Sequence, residues 1–370
     1  MVNYATVYNM EPTIPQFELK RQYSSLKKEL DAAILSVMES GIFCLGDNVA
    51  KFEEEFARFV GTKHCVSVAS GTDALILSLR ASGIGSNDEV VTVANTASPT
   101  VMAILAVGAV PVLVDCDEFY NIDVKRLEKA VTKKTKAIIP VHLYGQPCDT
   151  DKINALAKKH GIKIIEDCAQ AHGTTYNGRH VGSLNTGCFS FYPTKNLGAY
   201  GDGGAITTND AAFAEKLKML RVYGQKGAYD SKFFGYNSRL DEMQAAILRV
   251  KLKHLQAWVT RRREIAALYD KNLKSVTTPK ERQNVKHAYH LYVISAKDRD
   301  ALAEHLKKKG IGTKVHYPVP IHRQGAFSMI KGSYPRTEEN ATKILSLPMF
   351  PELTNEEVLR VCREVNDFVK

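Results

Sequence analysis

The chain has a single tryptophan, and no two of its cysteines are spaced Cys-x-x-Cys. The seven cysteines (Cys44, Cys65, Cys116, Cys148, Cys168, Cys188 and Cys362) are scattered, and several sit inside apolar runs such as Phe43-Cys44-Leu45 and Gly187-Cys188-Phe189. An odd, dispersed set reads as reduced, mostly buried thiols of a cytoplasmic protein. No apolar run is long enough to span a bilayer, so a membrane partner is not expected. Met1-Val2-Asn3-Tyr4 shows no charged region leading into an apolar core, so no secretory signal is expected. The helix-turn-helix, zinc-finger and RNP patterns are missing, which argues against a nucleic-acid partner despite a net charge of +10. That charge, which includes the clusters Lys307-Lys308-Lys309 and Arg261-Arg262-Arg263, reads as a solvated basic surface or as an attraction for a small anion. Gly201-Asp202-Gly203-Gly204 lacks the dinucleotide-binding spacing. His316 and His322 have no acid or cysteine at metal-ligand spacing, so no metal is expected.

What is present is an alternation. Helical spacing runs from Leu19 to Glu39 and again after Asn48, where Phe52, Phe56 and Phe59 share a face. Strands are expected at Cys65–Ala69, Glu89–Val93, Val110–Val114, Lys136–Val141 and Lys163–Ile165. Helices are expected between them at Thr72–Arg80, Pro99–Val107, Val124–Val131 and Lys152–His160. Shorter strands follow near Cys188–Phe191 and Ala205–Thr208. Nearly all-apolar strands alternating with helices indicate an α/β fold with a mostly parallel sheet covered on both faces. Residues 1–15 read as a polar tail, Ala211–Tyr223 as a helix and Asp241–Tyr269 as one long helical stretch. Beyond it, strands at Tyr289–Ser295 and Gly312–His316 mix with helices at Arg299–Lys309 and Thr354–Val369. The length suggests two domains: a large α/β domain over 1–248 and a smaller α+β domain over 249–370.

Three stretches can carry chemistry. In Ala69-Ser70-Gly71-Thr72-Asp73-Ala74 a strand ends and a helix starts, which suits a phosphate or is a simple Ser/Thr cap. In Ile164-Ile165-Glu166-Asp167-Cys168-Ala169-Gln170-Ala171-His172-Gly173 a strand ends in acids at the carboxyl edge of the sheet, where ligands collect. Asp167 there can hold a proton on a ring nitrogen or cap a helix, and His172 reads equally as a core histidine. In the stretch Cys188–Gly204 a polar turn presents Lys195. A buried, partly neutral lysine can form a Schiff base with a carbonyl, although an isolated loop lysine is more often an ordinary surface residue. A phosphate cradle, a carboxylate and a lysine, in that order on one sheet, are what pyridoxal 5′-phosphate needs.

The chain resembles the DegT/DnrJ/EryC1/StrS family of PLP-dependent nucleotide-sugar aminotransferases over nearly its whole length. The resemblance runs through Leu45-Gly46 with Phe52-Glu53, Ser70-Gly71-Thr72, the Glu166–Gly173 stretch and Ser190-Phe191-Tyr192-Pro193-Thr194-Lys195-Asn196-Leu197. It continues in Asn237-Ser238-Arg239-Leu240-Asp241 and Gly312-Thr313-Lys314-Val315-His316-Tyr317-Pro318. It implies the aspartate aminotransferase-like (type I PLP) fold. By the same resemblance Lys195 carries the cofactor and shuttles the proton, Asp167 partners the pyridinium, and Gln170 lies near the phenolic oxygen. Gly71, Thr72 and Ser190 bind the phosphate, and Asn237 does so from the neighbouring subunit of a homodimer. His316, Tyr317 and His322 fall in the sugar-nucleotide site. No aromatic occupies Asn95-Thr96-Ala97-Ser98-Pro99, where the resemblance implies a ring stacked on the cofactor.

The implied activity is ping-pong transfer of an amino group from glutamate to a nucleotide-linked (dTDP) keto-6-deoxyhexose, in the biosynthesis of an amino-sugar for an O-antigen or other polysaccharide. The segment His316–His322 is more similar to members that aminate C3 than to those that aminate C4. The alternatives are a C4 aminotransferase, a PLP-dependent sugar dehydratase, or a regulator that binds PLP without turnover. Relatives that dehydrate carry histidine in place of the lysine, so Lys195 argues against dehydration. The lack of a DNA-binding module argues against the regulator.

Overall fold

A computed structural model describes residues 13–368 apart from Ala228. The expected polar tail therefore lies outside the described residues as far as residue 12. In chain order the elements are α1 (Lys20–Ser40), α2 (Asp47–Val60), β1 (His64–Val68), α3 (Gly71–Ala81), β2 (Glu89–Val93), α4 (Ser98–Ala106), β3 (Val110–Val114), α5 (Val124–Ala130), β4 (Thr135–Ile139), α6 (Thr150–His160) and β5 (Lys163–Asp167). They continue with β6 (Thr175–Tyr176), β7 (Arg179–His180), β8 (Thr186–Ser190), β9 (Gly204–Thr208), α7 (Ala211–Leu220), α8 (Glu242–Leu252), α9 (Leu255–Asn272), β10 (Val285–Lys286), β11 (Tyr292–Ser295), α10 (Arg299–Lys308), α11 (Pro335–Lys343), β12 (Ile344–Leu347) and α12 (Asn355–Phe368).

Apolar strands with no polar face must be sandwiched. Here β1-β9-β8-β5-β4-β2-β3 form one seven-stranded sheet. Neighbours pair in parallel except β9, which runs antiparallel to both β1 and β8. One face packs on α3, α4 and α7 through Leu75, Leu79, Ile104 and Leu217. Another cluster joins α2 to β8: Phe56 meets Phe189 edge-on at 5.0 Å, and Phe52 meets Phe191 at 5.3 Å. Such aromatic pairs add about 0.5–1.5 kcal/mol beyond area burial, and they anchor the chain that leads into Lys195. The last third has its own core, with Ile265 and Tyr269 of α9 against β11, β12 and α12.

Three departures from the sequence reading have local causes. The stretch Asp241–Tyr269 is two helices, α8 and α9, separated at Lys253-His254. Ile247 and Val250 of α8 pack on Leu26 and Leu30 of α1, whereas Ile265 and Tyr269 of α9 serve the C-terminal core. The axis must turn to satisfy both. Gly312–His316 is not a strand: Lys314 alone bridges Ser346, and the following carbonyl, of His316, accepts instead from the Tyr144 hydroxyl. The hairpin β6–β7 went unread although Asn177-Gly178 marks it. Both turn residues take positive φ (48° and 75°), as a tight two-residue turn requires.

Two long-range ties complete the fold. Ile14 bridges Ile311 in parallel fashion. The N-terminus of α11 has no cap from its own preceding residue. Asp115, at the end of β3, supplies it, accepting from Arg336 N–H at 3.0 Å, Thr337 N–H at 2.9 Å and the Thr337 hydroxyl at 2.7 Å.

Candidate active site

Ser70, Gly71, Thr72, Asp167, Gln170, Ser190 and Lys195 all line one cavity of ≈ 230 Å³ at the carboxyl edge of the large sheet. The phosphate-type end is built by the short link from β1 into α3. Ser70 Oγ caps the helix by accepting from Asp73 N–H at 3.1 Å. The first amides of the helix have no partner within it and can turn to an anion. Gly71 is required by space: a Cβ there would lie 2.6 Å from Ser190 Cβ.

At the opposite chemical pole, β5 delivers Asp167. Oδ1 accepts from Ala169 N–H at 3.1 Å and Oδ2 from the Thr100 hydroxyl at 2.9 Å. Thr100 in turn bonds Thr96 at 2.8 Å. Burial raises the Asp167 pKa, while these two donors and the Lys195 amine oppose the rise. Glu166, its neighbour, alternates to the other face of the strand. There it accepts from Gly182 N–H and Asn185, each at 2.8 Å, and pairs with His142 Nε2 at 2.8 Å. His142 Nδ1 takes the Cys148 N–H at 3.0 Å, which leaves no room for a second ring proton, so His142 is the neutral donor to Glu166.

Lys195 sits in the turn after β8. Enclosure by protein pulls its amine down to about 8, with Asp167 working against the fall. Near neutral pH a usable fraction is therefore uncharged, as proton transfer demands. Gln170 Oε1 accepts from Tyr144 N–H at 2.8 Å, and its Nε2 donates to the Tyr317 hydroxyl at 2.9 Å. Tyr144, itself at φ 59°, donates its hydroxyl to the His316 carbonyl. The sheet edge and the His316–Tyr317 segment are thus tied together behind Gln170.

Four of the expected residues stand apart from the cavity lining: Tyr317, which reaches it only through Gln170, and His316, His322 and Asn237. His316 bonds Ser346 through Nδ1 at 2.8 Å, and burial holds its pKa at about 4. His322 is buried against Tyr334, with Nε2 on Glu338 at 2.9 Å. Asn237 is exposed and bridges Val222. Thr100, Tyr144 and Asp202 were not found from sequence. Thr100 and Asp202 line the cavity, and Tyr144 acts through Gln170. No motif marks any of the three, and Thr100 and Tyr144 matter through partners distant in the chain.

A helix N-terminus, a buried carboxylate and a depressed lysine on this sheet define a pyridoxal-phosphate enzyme of the aspartate aminotransferase (type I) fold. The family model for the DegT/DnrJ/EryC1/StrS aminotransferase family matches residues 24–366, and the chain belongs to that family. It is 48% identical to a pleiotropic regulatory protein of Geobacillus stearothermophilus, over 96% of this chain and 99% of that one. It is also 48% identical to the dTDP-3-amino-3,6-dideoxy-α-D-galactopyranose transaminase of Aneurinibacillus thermoaerophilus, again over 96% and 99%. The crystal structure of S. venezuelae DesV in complex with a ketimine intermediate superposes with a TM-score of 0.95 at 44% identity, covering 97% of this chain and 99% of that one.

Proposed function

We propose that the chain is a PLP-dependent aminotransferase that converts a nucleotide-linked keto-6-deoxyhexose, carried on dTDP, to the 3-amino sugar with glutamate as donor. The observation that carries this reading is the convergence of Lys195, Asp167 and the α3 N-terminus on one cavity. The transaminase named above, with its 3-amino product, supports the position of amination.

The residues present fit the cofactor. The glycine that a Cβ would block and the unpaired first amides of α3 suit its phosphate. Pyridoxal phosphate supplies a carbonyl that carries the amino group and a ring that takes up an electron pair. Asp167 holds the proton on the ring nitrogen, and Thr100 and Ala169 orient its carboxylate. Gln170 would face the phenolic oxygen, held by Tyr144 and Tyr317. Gly71, Thr72 and Ser190 bind the phosphate. Lys195, with its lowered amine, would take the proton from the donor carbon and return one to the sugar carbon in the second half of the cycle. His316, Tyr317 and His322 belong to the side from which the sugar nucleotide enters.

A homodimer fits the surface. Leu35, Met38, Ile42, Phe43 and Leu45 are exposed together along the end of α1 and the loop after it. An apolar patch of this kind marks an interface, and the exposed Asn237 is then free to reach the partner's cavity. The protein is placed in the cytoplasm, with its product destined for a polysaccharide such as an O-antigen. The large domain covers 1–248 and the small one 249–370; the turn between α8 and α9, at Lys253-His254, lies just beyond that boundary.

A second reading, a PLP-binding regulator, is favoured by the name of the Geobacillus relative. One experiment separates the two. Purified protein is incubated with glutamate and dTDP- or UDP-linked 3-keto and 4-keto sugars, and products are identified by mass spectrometry and NMR. A 3-amino sugar nucleotide supports the proposal. Bound cofactor that glutamate bleaches, with no sugar turned over, supports the regulator. Loss of a hydroxyl without amination supports a dehydratase.

A further inference from the structure

The turn that presents Lys195 is held from α8. It closes on itself tightly: a Cβ at Gly198 would lie 2.3 Å from the Pro193 carbonyl oxygen. Backbone groups turned outward by so tight a turn need partners elsewhere. Two side chains of α8, two turns apart on one face, provide them. Gln244 Oε1 accepts from Tyr200 N–H at 2.8 Å, and its Nε2 donates back to Tyr200 O at 3.4 Å. Lys251 Nζ donates to Gly198 O at 2.8 Å and lies 3.8 Å from the centroid of the Tyr200 ring. Lys251 is 0% exposed, a rare state for a lysine. Glu352 Oε2 and Arg262 Nε are buried without hydrogen-bond partners.

We infer that Lys251 is a positioning residue for Lys195: its amine clamps the Gly198 carbonyl against the Tyr200 ring and fixes the turn from which Lys195 reaches the cavity. Its catalytic meaning rests on the reading of Lys195 given above, but the clamp is a property of the chain itself.

The clamp has a pH signature. Burial pulls the Lys251 amine to about 7, with Glu352 opposing the fall. Glu352, ahead of α12, acts on the amine and is itself acted on by Arg262 of α9 and Arg21 of α1; the Tyr200 ring beside the amine meets Tyr23 of α1. Opening the turn hydrates the amine and restores its ordinary value of 10.5. A charged amine therefore favours the open turn and a neutral one the closed turn, so the turn begins to tighten near pH 7 and goes on tightening as pH rises toward 10.5. Removing the Glu352 carboxylate lowers the amine's pKa further and moves that onset to lower pH.

The test is hydrogen exchange at the amides of Lys195, Ala199 and Tyr200, corrected for intrinsic base catalysis. It uses the full-length wild type, Lys251→Met and Glu352→Gln from about pH 6 to pH 9. Expected results are wild-type protection that starts to rise near pH 7 and keeps rising across the rest of the range, about tenfold weaker and pH-independent protection in Lys251→Met, and an onset at lower pH in Glu352→Gln. Equal protection in Lys251→Met, or an unmoved onset in Glu352→Gln, overturns the inference. If Lys251→Met does not fold, the Glu352→Gln shift decides alone. Visible absorption of the wild type with added pyridoxal phosphate is recorded in parallel. Its absence refutes the cofactor reading and leaves the exchange result to judge the clamp.

Discussion

The Thr100 hydroxyl donates to Asp167 Oδ2 at 2.9 Å, at a point where burial is pushing the Asp167 pKa up. The bond works against that push and keeps available the carboxylate that a ring nitrogen needs. A hydrogen bond to a charged group contributes about 1.5–3 kcal/mol. Thr100→Val is therefore expected to weaken pyridoxal-phosphate binding by at least about tenfold. Since Asp167 protonates more readily in the variant, affinity should also begin to fall at a higher pH as the solution is acidified. Cofactor titration across pH measures both effects, and an unchanged pH dependence would show that Thr100 serves packing alone.

Lys195 has a pKa of about 8, set by enclosure against the pull of Asp167. Its amine gains reactivity as pH rises through that value. In cofactor-free protein the rate of acylation at Lys195, followed by peptide mass spectrometry, should show a midpoint near 8. Asp167→Asn removes the charge that holds the lysine up, so the midpoint should move to lower pH. A midpoint near 10.5, the ordinary lysine value, would mean that the amine is not enclosed.

Gly71→Ala places a Cβ 2.6 Å from Ser190 Cβ and 3.1 Å from Ser190 Cα. Relief requires α3 and β8 to part at the phosphate end of the cavity. Overpacking of this kind costs about 1–3 kcal/mol. Urea denaturation should show that loss, and cofactor affinity should fall by more than the stability change alone explains.

Asp115→Ala leaves two backbone amides and one hydroxyl at the start of α11 without their acceptor. Loss of a cap together with buried unmet donors costs about 2–3 kcal/mol. Denaturant midpoints should fall accordingly, while Lys195 acylation should keep its pH midpoint, because Asp115 is not among the groups that set the Lys195 pKa.

The alternation of the large sheet was legible because parallel strands buried on both faces leave continuous apolar runs. Glu89–Val93 and Val110–Val114 were read to the residue. The cavity was legible as three local motifs, each ending a strand of that sheet. What stayed hidden depends on contacts that no local pattern encodes. Thr100 reaches Asp167 from 67 positions away, and α11 is capped from 221 positions away. The short helix α11 and the four-residue strand β12 were missed because their burial is decided by β3 and β11. The Asn-Gly turn of β6–β7 was a readable signal, obscured because its strands are two residues each.

The bridge between Ile14 and Ile311 has a consequence for how the chain assembles. Thr13 and Gly310, beside it, lie 297 positions apart, and Arg21 near the start of α1 pairs with Glu357 of α12. Closing so long a loop is entropically expensive and comes after nearer contacts have formed. During synthesis the large sheet has all its strands once residue 208 has emerged, but the segment ahead of α1 has nothing to dock on until nearly the whole chain is made. Residues 13–21 are thus among the last parts to find their place, and a chain truncated ahead of Glu357 loses the ion pair that ties Arg21 to α12.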